Sequence, residues 1–256
     1  MVIGYYVHHH GAGHLTRARV VSARLRAQGH QVVLLGSDLR GSEGVALPRD
    51  NDGLTAFDDP EAGGALHWAP LRHPGYSTRM QAVASWVIAH RPRVVVVDVS
   101  AEVVALLRLL GVPTVLIAQP GERTDAAHTL AFRCATAILA PWPPQAQPCP
   151  AIHAFADKVT HTGGISGVGA RPRVGSSQRS LGVVLERRGG AGPTGLAAQV
   201  RDRLPGMQWV QAGADHWVSD VGALLNRAQV VITHCGQNAI ADIAAIDVPA
   251  VLQPQP

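Results

Sequence analysis

Aromatic residues make up only 4% of this 256-residue chain, although 46% of its residues are hydrophobic. The core must therefore be built mainly from Ala, Val, Leu and Ile, as in a sheet flanked by helices. Charged residues amount to 16%, which argues against intrinsic disorder. No apolar run approaches the ~18 residues needed to cross a bilayer. The first residues lack the basic region and cleavage site of a signal peptide, so we expect a cytoplasmic protein.

Cysteine and lysine are also scarce. The three cysteines, Cys134, Cys149 and Cys235, form no CxxC pair, which excludes a complete disulfide framework and argues against a zinc–thiolate site. Lys158 is the one lysine among 22 basic residues, and no block of like charges or basic–aromatic stretch occurs. We therefore expect no nucleic-acid binding. The net charge of +4 is compatible with anionic substrates or peripheral contact with an anionic membrane.

Strand and helix patterns alternate along the first part of the chain. Leu15, Ala18, Val21 and Leu25 share one helical face with arginines opposite, and Gly29 is a plausible C-cap. Four consecutive valines predict a strand buried on both faces, as in a parallel sheet. The predicted strands are 2–7, 31–36, 93–98, 113–118 and 135–141, and the helices are 15–28, 76–90, 101–110 and 124–134. A long surface loop is expected over 49–74. This order predicts a doubly wound α/β domain over residues 1–162.

A second cycle follows a Gly/Ser/Pro-rich stretch. Residues 163–180 show no periodicity and predict a linker. Beyond it we expect strands 181–186, 207–211, 229–234 and 249–254, with helices 194–204, 219–227 and 237–246. The sequence therefore predicts two Rossmann-like domains, 1–162 and 181–256, with a cleft between them. Ligands in such folds bind at the carboxyl ends of the strands.

The loop after the first strand, residues 8–14, combines histidine with glycine. Gly11 and Gly13 allow backbone N–H groups to approach an anion at a helix N-terminus, next to His10. Thr16 occupies the third glycine position of a dinucleotide-binding GxGxxG motif, an option that Asp38 keeps open. Since neighbouring strand side chains point to opposite faces, histidines 8–10 should not share one metal ion. We favour His14 as a general base, against a tight turn with incidental histidines.

Two further strand ends carry polar residues. Asp98 ends the valine strand, where it either faces a ligand or, like Ser100, caps the following helix. The last candidate turn contains polar residues and a glycine and opens a helix, an arrangement that favours the binding of anions. Its members are His234, Gly236, Gln237 and Asn238, and Asp242 follows one turn later on the same helix face. This spacing suits a diphosphate with hydroxyl groups nearby. The alternative is a structural turn with Asn238 as the N-cap.

Three segments resemble the UDP-glycosyltransferases of the two-domain GT-B fold. THCGQNAIADIAAIDVPAVLQPQP is similar to the donor-sugar signature. HHHGAGHLTRARVVSARLRAQGHQVVLLGS resembles the amino-terminal strand, loop and helix of the peptidoglycan N-acetylglucosaminyltransferase and its relatives. RPRVVVVDVSAEVVALLRLLGVPTVLIA is similar to the segment with the acidic partner of the base. The three segments follow the family's order, so the resemblance implies a GT-B glycosyltransferase.

The resemblance also implies roles for the candidate residues. His14 would deprotonate the acceptor, and Asp98 would orient and charge-stabilise His14; the acceptor-side loop would contain His10, Gly11 and Gly13. His234, Gly236 and Asn238, with Gln237 between them, would hold the donor diphosphate, and Asp242 the ribose hydroxyls; Gly189 and Gly190 would lie by the phosphates. The implied partners are a UDP-sugar co-substrate and a small-molecule or lipid-linked acceptor, without metal or cofactor.

The chain departs from the family pattern at several points. Asp242 is shorter than the usual Glu, and Ala239 replaces a frequent Ser or Thr. The family continues beyond the final PQP, so we expect the second domain to be incomplete. A nucleotide-sugar hydrolase of related fold and a non-catalytic remnant are the alternative functions.

Overall fold

The computed structural model describes residues 1–9, 12–52, 56–146, 148–169, 180–186, 196–213, 216 and 218–253. Contacts divide the described residues into two compact units: the first contains residues 1–9 and 14–163, and the second contains residues 12–13 and the described residues from 164 onward. Within the described residues, no helix is both long and apolar enough to cross a membrane.

A seven-stranded parallel sheet forms the first unit, and its order is β3-β2-β1-β4-β5-β6-β7. Its strands are β1 (Val2–Val7), β2 (Gln31–Gly36), β3 (Gly44–Ala46), β4 (Val94–Asp98), β5 (Thr114–Ile117), β6 (Ala137–Ala140) and β7 (Val159–His161). The helices are α1 (Ala12–Ala27), α2 (Pro74–His90), α3 (Ala101–Leu109) and α4 (Ala126–Cys134), with a 3₁₀ helix at Pro150–Lys158. The strand order reverses between β1 and β4, which makes this pair the switch point where such folds bind ligands.

Helices cover both faces of this sheet. Val95 and Val97 are buried against one layer and Val96 against the other, so the valine strand is buried on both sides as predicted. On α1, Leu15 and Ala18 are buried against the sheet in the second layer. Gly29 ends α1 with a φ of +84°, a conformation that glycine adopts without strain.

The second unit contains a four-stranded parallel sheet of order β11-β10-β8-β9. Its strands are β8 (Leu181–Glu186), β9 (Gln208–Gly213), β10 (Val230–His234) and β11 (Ala250–Gln253), and its helices are α5 (Leu196–Arg203), α6 (Val221–Arg227) and α7 (Gln237–Ile246). Here the order reverses between β8 and β10. Residues 164–169 belong to this unit, whereas 170–179 of the predicted linker lie outside the described residues.

The predicted fold class, α/β with two Rossmann-like domains, is confirmed. The short edge strands β3 and β7 and the 3₁₀ helix were not predicted from the sequence, because three-residue strands leave no periodic pattern. Helix α4 begins two residues later than expected, since the Asp125 side chain accepts a hydrogen bond from His128 N and fixes the N-cap there.

Candidate active site

The switch point of the first unit brings His14 to Asp98. Val7 at the end of β1 pairs with Asp98 at the end of β4, so both chains leave the sheet side by side. The chain leaving β1 enters α1, whose first turn contains His14. As a result His14 Nδ1 lies 2.9 Å from Asp98 Oδ1. The two residues predicted as base and acidic partner are therefore in contact.

Arg17 is a third member of this cluster that the sequence analysis missed. Its Nε donates to Asp98 Oδ2 at 2.9 Å and its Nη2 to Asp98 Oδ1 at 2.7 Å, a bidentate pair. Arg17 was expected on the exposed face of α1, which is wrong, because only 3% of the residue is exposed. The available signal was its position three residues after His14, which places both on one helical face.

Asp98 is fully buried, so its charge depends on these partners. Burial acts to raise the pKa of Asp98, but the hydrogen bond from His14 and the charge of Arg17 outweigh it and hold the pKa below its ordinary value. The Tyr5 hydroxyl donates to Asp98 Oδ2 at 3.3 Å. Burial, followed by the Asp98 charge, raises the pKa of Tyr5 well above its ordinary value, so Tyr5 stays a neutral donor. Asp98 is thus a permanent carboxylate at neutral pH.

The backbone after Asp98 is strained. Val99 has a φ of +62°, a left-handed conformation that is costly for a β-branched residue. The following Ser100 is the N-cap of α3, and its Oγ accepts a hydrogen bond from Val103 N. Of the two alternatives for capping this helix, Ser100 is correct. Asp98 is therefore left to pair with His14 and Arg17.

A second set of histidine, aspartate and arginine lies in the same unit. His9 Nε2 is 3.2 Å from Asp50 Oδ1, and the fully buried Arg79 has its Nε 3.5 Å from Asp50 Oδ2. The His8 ring connects the two sets, because it stacks on His9 with centroids 5.1 Å apart and lies 5.5 Å from His14. His8 and His9 do not point to opposite faces as strand alternation predicts, since β1 ends at Val7 and their rings stack.

In the second unit, His234 lies at the switch point between β8 and β10. His234 ends β10, and the preceding Thr233 fixes this strand end by donating to Leu185 O on β8 at 3.0 Å. His234 is 7% exposed, and its Nδ1 has no hydrogen-bond partner among the described residues. A buried polar nitrogen is costly unless water or a ligand completes its hydrogen bonds, which makes His234 a candidate ligand contact.

Helix α7 starts at Gln237, after Cys235 and the N-cap Gly236. Its N-cap is a glycine, so no side chain at the N-cap accepts a hydrogen bond from the first turn. The first turn also contains no acidic residue. The alternative with Asn238 as N-cap is therefore wrong: Asn238, like Gln237, lies inside the first turn of α7. An uncapped helix N-terminus next to a buried imidazole is an arrangement that binds anions.

Asp242 has a role that the sequence did not predict. Its Oδ1 accepts hydrogen bonds from Ser166 Oγ and Gly167 N, both at 2.8 Å. Burial raises the pKa of Asp242, and these two hydrogen bonds oppose the rise. Asp242 thus anchors residues 166 and 167 to α7, and contact with a ribose would add to this function.

The remaining predicted residues are only partly described. Gly13 lies exposed in the first turn of α1. His10, Gly11, Gly189 and Gly190 lie outside the described residues.

Comparison with solved structures identifies the fold. Acinetobacter baumannii MurG is similar over 100% of this chain and 78% of its own, with a TM-score of 0.61 and 14% identity. The Streptomyces sp. SF2575 glycosyltransferase SsfS6, complexed with thymidine diphosphate, is similar over 100% of this chain and 82% of its own, with a TM-score of 0.66 and 16% identity. The spinosyn rhamnosyltransferase SpnG, complexed with spinosyn aglycone, is similar over 100% of this chain and 81% of its own, with a TM-score of 0.60 and 17% identity. The chain therefore has the GT-B fold of these glycosyltransferases.

No protein-family model and no curated protein matches the sequence.

Proposed function

We propose that this chain is a glycosyltransferase that moves a hexose from a nucleotide-sugar donor, a UDP-sugar by its sequence signature, to a hydroxyl-bearing acceptor. The observation that carries the proposal is the contact between His14 and the buried carboxylate of Asp98 at a Rossmann switch point. The fold supports it, because SsfS6 and SpnG, which share this fold, are glycosyltransferases.

His14 acts as the general base. With its Nδ1–H donating to Asp98, its Nε2 accepts the proton of the acceptor hydroxyl. The acceptor oxygen then forms a bond to the anomeric carbon, while the bond from that carbon to the diphosphate breaks and its electrons pass to the diphosphate oxygen. Asp98 stabilises the resulting imidazolium, and Arg17 keeps Asp98 ionised and fixed.

The donor diphosphate binds at the N-terminus of α7. His234 Nδ1 donates to a phosphate oxygen, and the backbone N–H groups of Gln237 and Asn238 in the first turn of the helix contribute the rest, whereas Gly236 N donates to His234 O at 2.7 Å. Helix N-termini and imidazole stabilise the charge that develops on the leaving group, so the transfer itself needs no metal ion or cofactor. The thymidine diphosphate in SsfS6 makes a second nucleotide worth testing beside UDP.

The acceptor is a small molecule in this proposal, in keeping with the aglycone bound by SpnG. The segment between β3 and α2, residues 47–73, is long and begins at the carboxyl end of β3. Such loops determine acceptor specificity in a scaffold whose other parts are fixed.

Replacing His234 with alanine should weaken binding of UDP by about 1.5–3 kcal/mol, the value of one hydrogen bond to a charged group. Pyrophosphate should lose a similar amount, because the contact is to phosphate. Isothermal titration of both ligands measures the effect. The matched control is His216→Ala, an exposed histidine of the same unit, which should bind as wild type does. Unchanged affinity in His234→Ala would remove the residue from the donor site.

Replacing Asp242 with alanine should weaken UDP and leave pyrophosphate nearly unchanged, since a carboxylate one turn into α7 repels phosphate and suits hydroxyl groups. Ser166→Ala is the control, because it removes the donor that anchors Asp242 and leaves the carboxylate in place. If Asp242→Ala and Ser166→Ala weaken both ligands equally, Asp242 serves only to anchor residues 166 and 167.

A further inference from the structure

Two histidines and an aspartate converge in the first unit, in a cluster that does not include His14 or Asp98. Asp125 is the N-cap of α4, His128 lies in its first turn, and His67 comes from the segment between β3 and α2. His67 Nε2 is 3.0 Å from both Asp125 Oδ1 and His128 Nδ1. His128 Nδ1 is 2.6 Å from Asp125 Oδ2. Three groups that bind metal ions thus point at one another.

Hydrogen atoms alone do not satisfy these three contacts. If both ring nitrogens are protonated, the two N–H groups of His67 and His128 face each other across 3.0 Å. If one is protonated, the other nitrogen turns its lone pair toward an oxygen of Asp125. With Asp125 as a carboxylate, every assignment of hydrogens to the two rings leaves one repulsive pair. A cation between the three groups is attracted to all of them.

We propose that His67, Asp125 and His128 bind a divalent ion of the zinc class. Two imidazole nitrogens and one carboxylate oxygen suit Zn²⁺, whereas Mg²⁺ and Ca²⁺ prefer oxygen ligands throughout. Bonds of about 2.0–2.2 Å place the ligand atoms of a tetrahedral zinc roughly 3.3 Å apart. The three ligand atoms already lie within 4.8 Å of one another. The fourth position is left for water or another oxygen ligand.

The segment that carries His67 is held in place independently of its imidazole. Glu102 Oε1 accepts hydrogen bonds from His67 N at 2.8 Å and Trp68 N at 3.1 Å. Phe57 packs edge-on against Trp68 with ring centroids 4.6 Å apart. The site is therefore largely preformed, and removing an imidazole should leave the backbone folded. The bound ion joins the segment between β3 and α2 to α4.

Titration of the metal-free full chain with Zn²⁺ tests this site. We expect one Zn²⁺ per wild-type chain, with affinity falling at least about tenfold in His67→Ala, His128→Ala and Asp125→Asn, as losses at metal sites do. Asn keeps the N-cap of α4, so this last variant isolates the charge. Zn²⁺ should raise the melting temperature of wild type and not of these variants. The exposed His153→Ala is the matched control and should behave as wild type does.

Two results would overturn the proposal. One is a wild-type chain that binds no Zn²⁺ in the titration. The other is binding that persists in His67→Ala and His128→Ala but is lost in His9→Ala, because the ion would then belong to the histidine-rich loop at 8–14. Circular dichroism verifies that each variant is folded, and Co²⁺ absorption in place of Zn²⁺ reports the coordination geometry. None of these readouts depends on glycosyl transfer.

Discussion

Turnover should fall by a factor of about 10²–10⁴ when His14 is replaced with alanine, the usual cost of losing a general base. Binding of UDP should change by less than a few-fold, because His14 contacts Asp98 in the first unit and belongs to no donor motif. Initial rates of nucleotide release and calorimetric titration measure the two quantities. Asp98→Asn should cause a smaller loss that is not additive with His14→Ala, since paired groups act as a unit.

The control for this variant is the exposed His153→Ala, which should retain wild-type rates. Full activity in His14→Ala would refute the assignment. The base would then be sought at His9, which has an aspartate partner of its own in Asp50, or at His10.

Arg17→Met should lower the free energy of unfolding by about 3–5 kcal/mol, the cost of removing one partner from a buried ion pair. Asp98 then keeps His14 and Tyr5 as partners but loses both hydrogen bonds from the guanidinium. Urea unfolding of both proteins measures the difference. Arg24→Met, an exposed arginine on the same helix, is the control and should unfold as wild type does.

The effect of Arg17→Met should depend on pH with a definite sign. The pKa of Asp98 in the folded chain lies below its ordinary value, so the stability it contributes is present above the ordinary value and is lost as the pH falls through the folded pKa. The gap between wild type and Arg17→Met should therefore narrow on acidification below about pH 4. The double variant Arg17→Met/Asp98→Asn should be more stable than Arg17→Met, because it no longer buries a carboxylate that has lost its guanidinium partner. A gap independent of pH, or a double variant less stable than Arg17→Met, would contradict the ion-pair account.

The sequence predicted which residues end the strands better than it predicted which strands lie next to each other. Asp98 and His234 follow strong hydrophobic strands, and parallel strands present their carboxyl ends at one edge. Strand order was not predictable, because it depends on contacts between residues distant in sequence. Only the structure places β1 beside β4 and β8 beside β10, which turns these two strand ends into switch points.

The sequence did not predict the role of Arg17 or the cluster of His67, Asp125 and His128, and the reason is the same for both. Helical periodicity predicts that an arginine at this position faces solvent. Arg17 is buried because it pairs with the buried carboxylate of Asp98, which is 81 residues away in sequence. His67 and Asp125 are 58 residues apart and lie in no metal-binding spacing. Ser166 likewise meets Asp242 across 76 residues. Side chains that pair across long separations leave no local pattern.

Following the sugar tests the central claim most directly. The chain is incubated with a UDP- or TDP-sugar labelled in the sugar, with and without a panel of hydroxyl-bearing small molecules, and the label is traced by chromatography and mass spectrometry. The account predicts that nucleotide is released only when an acceptor is present and that the label appears on the acceptor. Label released as free sugar without acceptor would make the chain a hydrolase, and donor recovered intact would make it a non-catalytic remnant; either result would contradict the account.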